Sequence, residues 1–94
     1  MKVILTRRAE RNYLSIRNYI AKEWGLNVAL SFDQKTDELF ELLNQFPEIG
    51  PIERKDIRGF QLSSQTRIFY RIKGEIILIL SLFDVRQNPK KRPG

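Results

Sequence analysis

A chain of 94 residues, 41% hydrophobic and 30% charged, is long enough for one domain with a modest core and too short for a two-lobed enzyme interior. It has neither cysteine nor histidine, which excludes disulfides, thiol catalysis and a Ser-His-Asp triad, and leaves only carboxylates for a zinc site. The net charge of +6, from 17 Lys and Arg against 11 Asp and Glu, favours a polyanionic or acidic partner through long-range steering. No charged-then-apolar leader and no apolar stretch near the ~20 residues of a membrane span occurs. A cytoplasmic protein without membrane, metal or cofactor is therefore expected.

Lys2-Val3-Ile4-Leu5-Thr6 is a β-branched run that predicts a first strand, with Thr6 placed to cap a helix. Ala9, Tyr13, Ile16, Ile20 and Trp24 then share one helical face, while Arg8, Arg11, Asn12, Asn18 and Lys22 lie opposite. This puts Trp24 in the core or between the helices. Gly25 stands where a left-handed cap is wanted, and Asn27 is the predicted cap of a second helix. Ala29, Phe32, Thr36, Leu39, Leu43 and Phe46 form its apolar stripe, broadened by Phe40 and Leu42, and Pro47 ends it. The short link makes the two helices an antiparallel hairpin.

Pro47 to Pro51 reads as a turn, and Ile52 to Arg58 is charged and ambiguous. Gly59 to Leu62 begins a strand, and Ser63 to Gln65 turns. Thr66 to Ile72 then alternates, with Ile68, Tyr70 and Ile72 on one face and Arg67, Phe69 and Arg71 on the other. After a Lys73-Gly74 turn, Ile76 to Phe83 holds large apolar residues interrupted only by Ser81. That run predicts the central strand of a sheet covered by helices on at least one face. The predicted order is β-α-α-β-β-β, an α+β fold in a single domain over 1–94 with a basic tail from about residue 87 to 94.

The glycines are too dispersed for a phosphate loop, so the chemistry that stands out is arginine on strands. Arg67 and Arg71 flank Phe69 on one face, and a charge there is costly unless paired or wet. Arg86, Lys55 and Arg58 can join them around an open sheet face that binds phosphates, with Phe69 or Phe60 stacking a base. The alternative is cross-strand pairing of the arginines with Glu75, Asp56 or Asp84. The basic tail, Lys90, Lys91 and Arg92, adds further cations.

Tyr19-Ile20, Trp24-Gly25, Ala29, Phe32, Leu43, Pro47 and Gly50 resemble the amino-terminal half of RelE/ParE-type toxins. So do Arg67-Ile68-Phe69-Tyr70-Arg71-Ile72 and Leu82-Phe83-Asp84-Val85-Arg86-Gln87-Asn88-Pro89. These are the small toxins of bacterial type II toxin-antitoxin modules, and the resemblance spans about Thr6 to Pro89. It implies a curved, mainly antiparallel sheet holding a helical hairpin on one side. It also implies one of two targets: DNA gyrase for the ParE branch, or messenger RNA on the ribosome for the RelE branch. In a RelE-like endoribonuclease the matching positions are Arg67 and Arg86, with Lys55 or Arg58 as the loop cation. Arg71, Phe69, Lys90, Lys91 and Arg92 would meet the target or nucleic acid. The tail lacks the Tyr or His that many nuclease members carry, and the long hairpin with Trp24-Gly25 looks more ParE-like. A non-toxic nucleic-acid-binding module is the remaining alternative. Either toxin branch implies an acidic, partly disordered antitoxin, for which Tyr13, Trp24, Phe32 and Phe40 beside the hairpin are the expected contacts.

Overall fold

The structure is a computed structural model and describes residues 1–87. The elements are β1 (Lys2–Leu5), α1 (Arg7–Trp24), α2 (Leu26–Gln45), β2 (Ile52–Arg54), β3 (Ile57–Gln61), β4 (Thr66–Lys73) and β5 (Ile76–Asp84). The strands form one sheet in the order β1-β5-β4-β3-β2. β1 pairs parallel to β5 and every other pair is antiparallel. The class is α+β. The ambiguous stretch after Pro51 proves to be a further hairpin, so four strands follow the helices rather than three. β2 has three residues, all exposed, and shows no alternation to read; only pairing with β3 makes it a strand. β5 is an interior strand, but the middle of the sheet is β4.

The helical hairpin forms as the apolar spacing requires, with one change at its apex. Gly25 alone joins the helices: its N–H donates to the Ala21 carbonyl, and its own carbonyl accepts from Ala29. It therefore ends α1 and starts α2, and Asn27 lies inside the first turn of α2 instead of capping it. At φ 97° and ψ 166°, Gly25 occupies a region essentially closed to residues with a Cβ. Thr6 does cap α1, its Oγ1 accepting from the Ala9 N–H at 3.1 Å.

Ala9, Ile16 and Ile20 of α1 and Ala29, Phe32, Leu39 and Leu43 of α2 pack on Ile68, Tyr70, Ile77, Ile79 and Leu82. Each large side chain fully removed from water there contributes on the order of 1.5–3 kcal/mol before its ordering cost. Trp24 and Phe46, expected at the ends of the two apolar stripes, are instead 50% and 57% exposed. Each stands past the last turn that faces the sheet, where the stripe continues but its partner does not.

β5 is paired on both edges only as far as β1 reaches, and α1 covers the remainder. The Thr6 N–H donates to the Ile79 carbonyl at 3.0 Å and its hydroxyl to the Leu80 carbonyl at 3.0 Å. The Leu82 N–H donates to Asn12 Oδ1 at 3.1 Å. The β4–β5 register shifts here, with Phe69 opposite Ser81 and Tyr70 opposite Ile79, so Leu80 is an extra residue in β5. Such a bulge re-aims the side chains around it.

Candidate functional site

The helices cover one face of the sheet. Residues directly opposite in a ladder share a face, so the pairing defines the other. Gln61, Arg67 and Phe83 form one row across β3, β4 and β5, and Gly59, Phe69 and Ser81 form the next. Arg71 lies opposite Leu78. Because Gly59 has no side chain, Glu53 of β2 reaches across it and forms an ion pair with Arg67. Arg67 also donates to Gln61 Oε1 at 3.0 Å and lies 5.6 Å from the centroid of the Phe69 ring. Arg71 donates to Asp56 Oδ1 at 3.2 Å. Both strand arginines are thus on the uncovered face, as alternation predicted, and both are paired.

The other predicted cations do not join them. Arg58 lies opposite the buried Tyr70, so it points to the helical side and donates to the Gly50 carbonyl at 2.8 Å and the Glu48 carbonyl at 3.2 Å. Lys55 sits at the tip of the β2–β3 hairpin with φ 54°. Arg86 follows β5 and turns to the end of the helical hairpin. Its Nε and Nη2 donate to the two oxygens of Asp84 at 3.1 and 2.8 Å, and its guanidinium lies 5.5 Å from the Trp24 ring centroid. Tyr19 packs edge-on against the same indole. The five-cation cluster expected from the sequence is therefore dispersed over four places, because strand parity, the β2–β3 turn and the chain's exit from β5 separate it. Lys90, Lys91 and Arg92 lie outside the described residues.

Asp84 is 2% exposed. Burial alone would raise its pKa, but hydrogen bonds from the Arg86 side chain, Thr66 Oγ1 and the Arg86 N–H outweigh this and hold the carboxyl below the usual carboxylate range. Tyr70 is fully buried, donating to the Pro47 carbonyl at 2.8 Å and accepting from the Gly50 N–H at 2.9 Å. Burial pushes its phenol above the ordinary value, against the opposing pull of the Gly50 N–H and Arg58. The hydroxyl pins the loop after α2 and has no path to the uncovered face.

Of the residues expected to meet an antitoxin, Trp24 is exposed. Phe40 is half-buried beside Met1, Lys2 and Val3 in a groove along β1. Tyr13 is half-buried and donates to Asp33, which also pairs with Arg17 at 2.9 Å. Burial and that carboxylate raise the Tyr13 phenol. Phe32 belongs to the core, 5% exposed and stacked on Tyr13 with centroids 5.4 Å apart, so it reaches no surface in this conformation.

The uncovered face also holds a cavity of about 300 Å³ lined by Arg8, Glu53, Arg54, Ile57, Phe69, Leu80 and Ser81. Sequence reasoning passed over Arg8, Arg54 and Glu53. Arg54 lay in the unassigned stretch, and Arg8 reaches the cavity only because α1 begins at the β5 bulge. Ser81 did carry a signal, as the one polar residue in its run. Among the described residues no group of three or more metal-ligating side chains occurs, and no helix is long and apolar enough to cross a membrane.

Residues 3–89 match the family model described as the ParE toxin of the type II toxin-antitoxin system, parDE. Toxin ParE3 of Caulobacter vibrioides is 29% identical over 90 residues, covering 93% of this chain and 89% of that protein. Among solved structures, a chain of the chromosomal ParDE TA system from P. aeruginosa superposes with a TM-score of 0.76 at 26% identity, covering 89% of this chain and 95% of that one. A YoeB/ParE toxin from Agrobacterium tumefaciens shares the fold with a TM-score of 0.66 at 14% identity, over 89% of this chain and 98% of that one.

Proposed function

We propose that this chain, which belongs to the ParE toxin family of type II toxin-antitoxin systems, arrests bacterial growth in the cytoplasm by poisoning DNA gyrase. The observation that carries the reading is the family match, which runs through both helices and every strand. The geometry supports the gyrase branch over RNA cleavage. Cleavage by the 2′-hydroxyl needs a base, an acid and charge stabilisation gathered around one phosphate. Arg67, Arg71 and Arg86 are each held by a carboxylate, and Tyr70 is buried with its hydroxyl engaged at both ends.

A cognate antitoxin completes the module. Trp24, Leu26 and Phe46 expose apolar surface on the helical hairpin, and the net charge is +6. Both suit an acidic segment that folds as it binds and covers apolar side chains while neutralising basic ones.

Purified gyrase, plasmid and ATP are the direct test. Adding this chain should accumulate protein-linked double-strand breaks, seen as linear plasmid after detergent and protease, and the antitoxin should suppress them. In cells, RNA 5′-end mapping minutes after induction should find messages intact while DNA-damage transcripts rise. New ends inside translated codons would overturn the gyrase reading in favour of an endoribonuclease.

A further inference from the structure

The passage from α2 into β2 carries three large apolar side chains that the fold leaves in water. Phe46, Ile49 and Ile52 are 57%, 40% and 56% exposed. Leu42, Phe46 and Ile49 line an open cavity of about 590 Å³ at the end of α2. Ile52 lies opposite Arg58 in the ladder and so shares its face, and Arg58 reaches the Glu48 and Gly50 carbonyls. The three side chains therefore border one patch beside the β2 edge of the sheet. Its backbone is firmly held. The Phe46 N–H donates to the Leu42 carbonyl and the Ile49 N–H to the Phe46 carbonyl, while the Tyr70 hydroxyl clamps Pro47 and Gly50. The 20 residues of α2 span about 30 Å, which separates this patch from Trp24 and Leu26 at the apex of the hairpin.

We propose that this patch is a contact between two copies of this chain related by a twofold axis. Apolar side chains presented on a pre-formed loop lose little freedom on association, so they favour binding more than a mobile segment would. The charges on the rim select the occupant. Glu48 has no ion pair among the described residues. Arg58 gives Nη1 to the two carbonyls, and its Nη2 has no hydrogen bond among the described residues. An acidic segment satisfies Arg58 but sets its own carboxylates against Glu48. A second copy turned through the twofold brings an Arg58 to Glu48 and a Glu48 to Arg58, and it covers the apolar patch with the same patch. Phe46 also belongs to the surface assigned above to the antitoxin; on that reading the two partners exclude each other at this end of the hairpin. The contact is small beside the ~800 Å² per partner of a standard interface, and the expected dissociation constant is on the order of 10–100 μM.

The test is sedimentation velocity of the full chain, made by cell-free translation, over concentrations that bracket that constant and at low and high salt. The unmodified chain should pass from monomer to dimer and stop there, as a closed twofold requires. Phe46→Asp should weaken association at least tenfold by placing a charge at the centre of the apolar contact. Glu48→Lys sets like charges opposite each other, so it should weaken association at low salt and reverse the salt effect. Added salt loosens the unmodified dimer but strengthens this variant. Leu26→Asp, at the exposed apex, should associate like the unmodified chain. Circular dichroism confirms that each variant keeps its helices. A chain that stays monomeric at every concentration overturns the proposal, and so does a dimer indifferent to Phe46→Asp or Glu48→Lys. A dimer lost with Leu26→Asp places the contact at the apex and overturns it too. None of these measurements uses gyrase, ribosome or antitoxin, so failure here leaves the toxin reading where it stands.

Discussion

Asp84 shows how one residue organises its surroundings. A carboxylate with 2% exposure is tolerable only because Arg86 and Thr66 fill its acceptor positions. Arg86 in turn covers Trp24, so the end of β5 is tied to the apex of the helical hairpin by one chain of contacts. Asp84→Asn should lower stability by ~3 kcal/mol at pH 7, the low end for breaking a buried pair because Arg86 retains some access to water. The pH dependence identifies the cause. Since the native carboxyl is held below its ordinary value of about 3.9, its contribution is complete above that pH. It declines as pH falls through the native pKa, because the unfolded chain takes up the proton first. Urea unfolding of both proteins should therefore show a constant gap above about pH 5 that narrows toward pH 2. A gap that persists into strong acid would mean that packing, not charge, is responsible.

At the scale of elements, the hairpin depends on Gly25 and the loop behind it on Gly50. No atom lies within 4 Å of where a Cβ on Gly25 would stand, so substitution there meets only a backbone penalty. Gly25→Ala and Gly25→Ser should each cost roughly 1–3 kcal/mol, alike despite their different sizes, as read from denaturant midpoints. A cost that grows with side-chain size would show instead that space is limiting. Gly50 is required for the opposite reason. A Cβ there would come within 2.8 Å of both Tyr70 Oη and the Gly59 carbonyl, so the loop could not seat against the phenol that anchors it. The bulge at Leu80 belongs to this scale too. It lets α1 take over the edge that β1 leaves, and it brings Ser81 and Arg8 to one cavity.

For the whole molecule, the basic excess and the apolar side chains exposed on the hairpin are features that a bound antitoxin would offset. Expressed alone, the chain should give little soluble protein or arrest its host. Co-expression with the proposed acidic antitoxin should raise recovery several-fold and yield a stable complex on gel filtration. Abundant, harmless free protein from an unprotected host would argue against a working toxin. The resemblance that led to this reading was visible in short motifs, none distinctive alone, and the match over residues 3–89 bears out the family that their order implied.

Periodicity by itself determined the helical hairpin, the alternation of β4 and the interior place of β5, because spacing along the chain decides which side chains a single element can bury. It also determined that Arg67, Phe69 and Arg71 share a face. Only the tertiary structure decided what those arginines touch. Glu53 and Asp56 come from a hairpin without a readable pattern, and pairing rather than propensity put them beside Arg67 and Arg71. The same holds for the separation of Arg58 and Arg86 from that face and for the meeting of Arg8, Arg54 and Ser81 around one cavity. Each depends on ladder register and on where α1 docks, and both are settled by contacts between residues far apart in sequence.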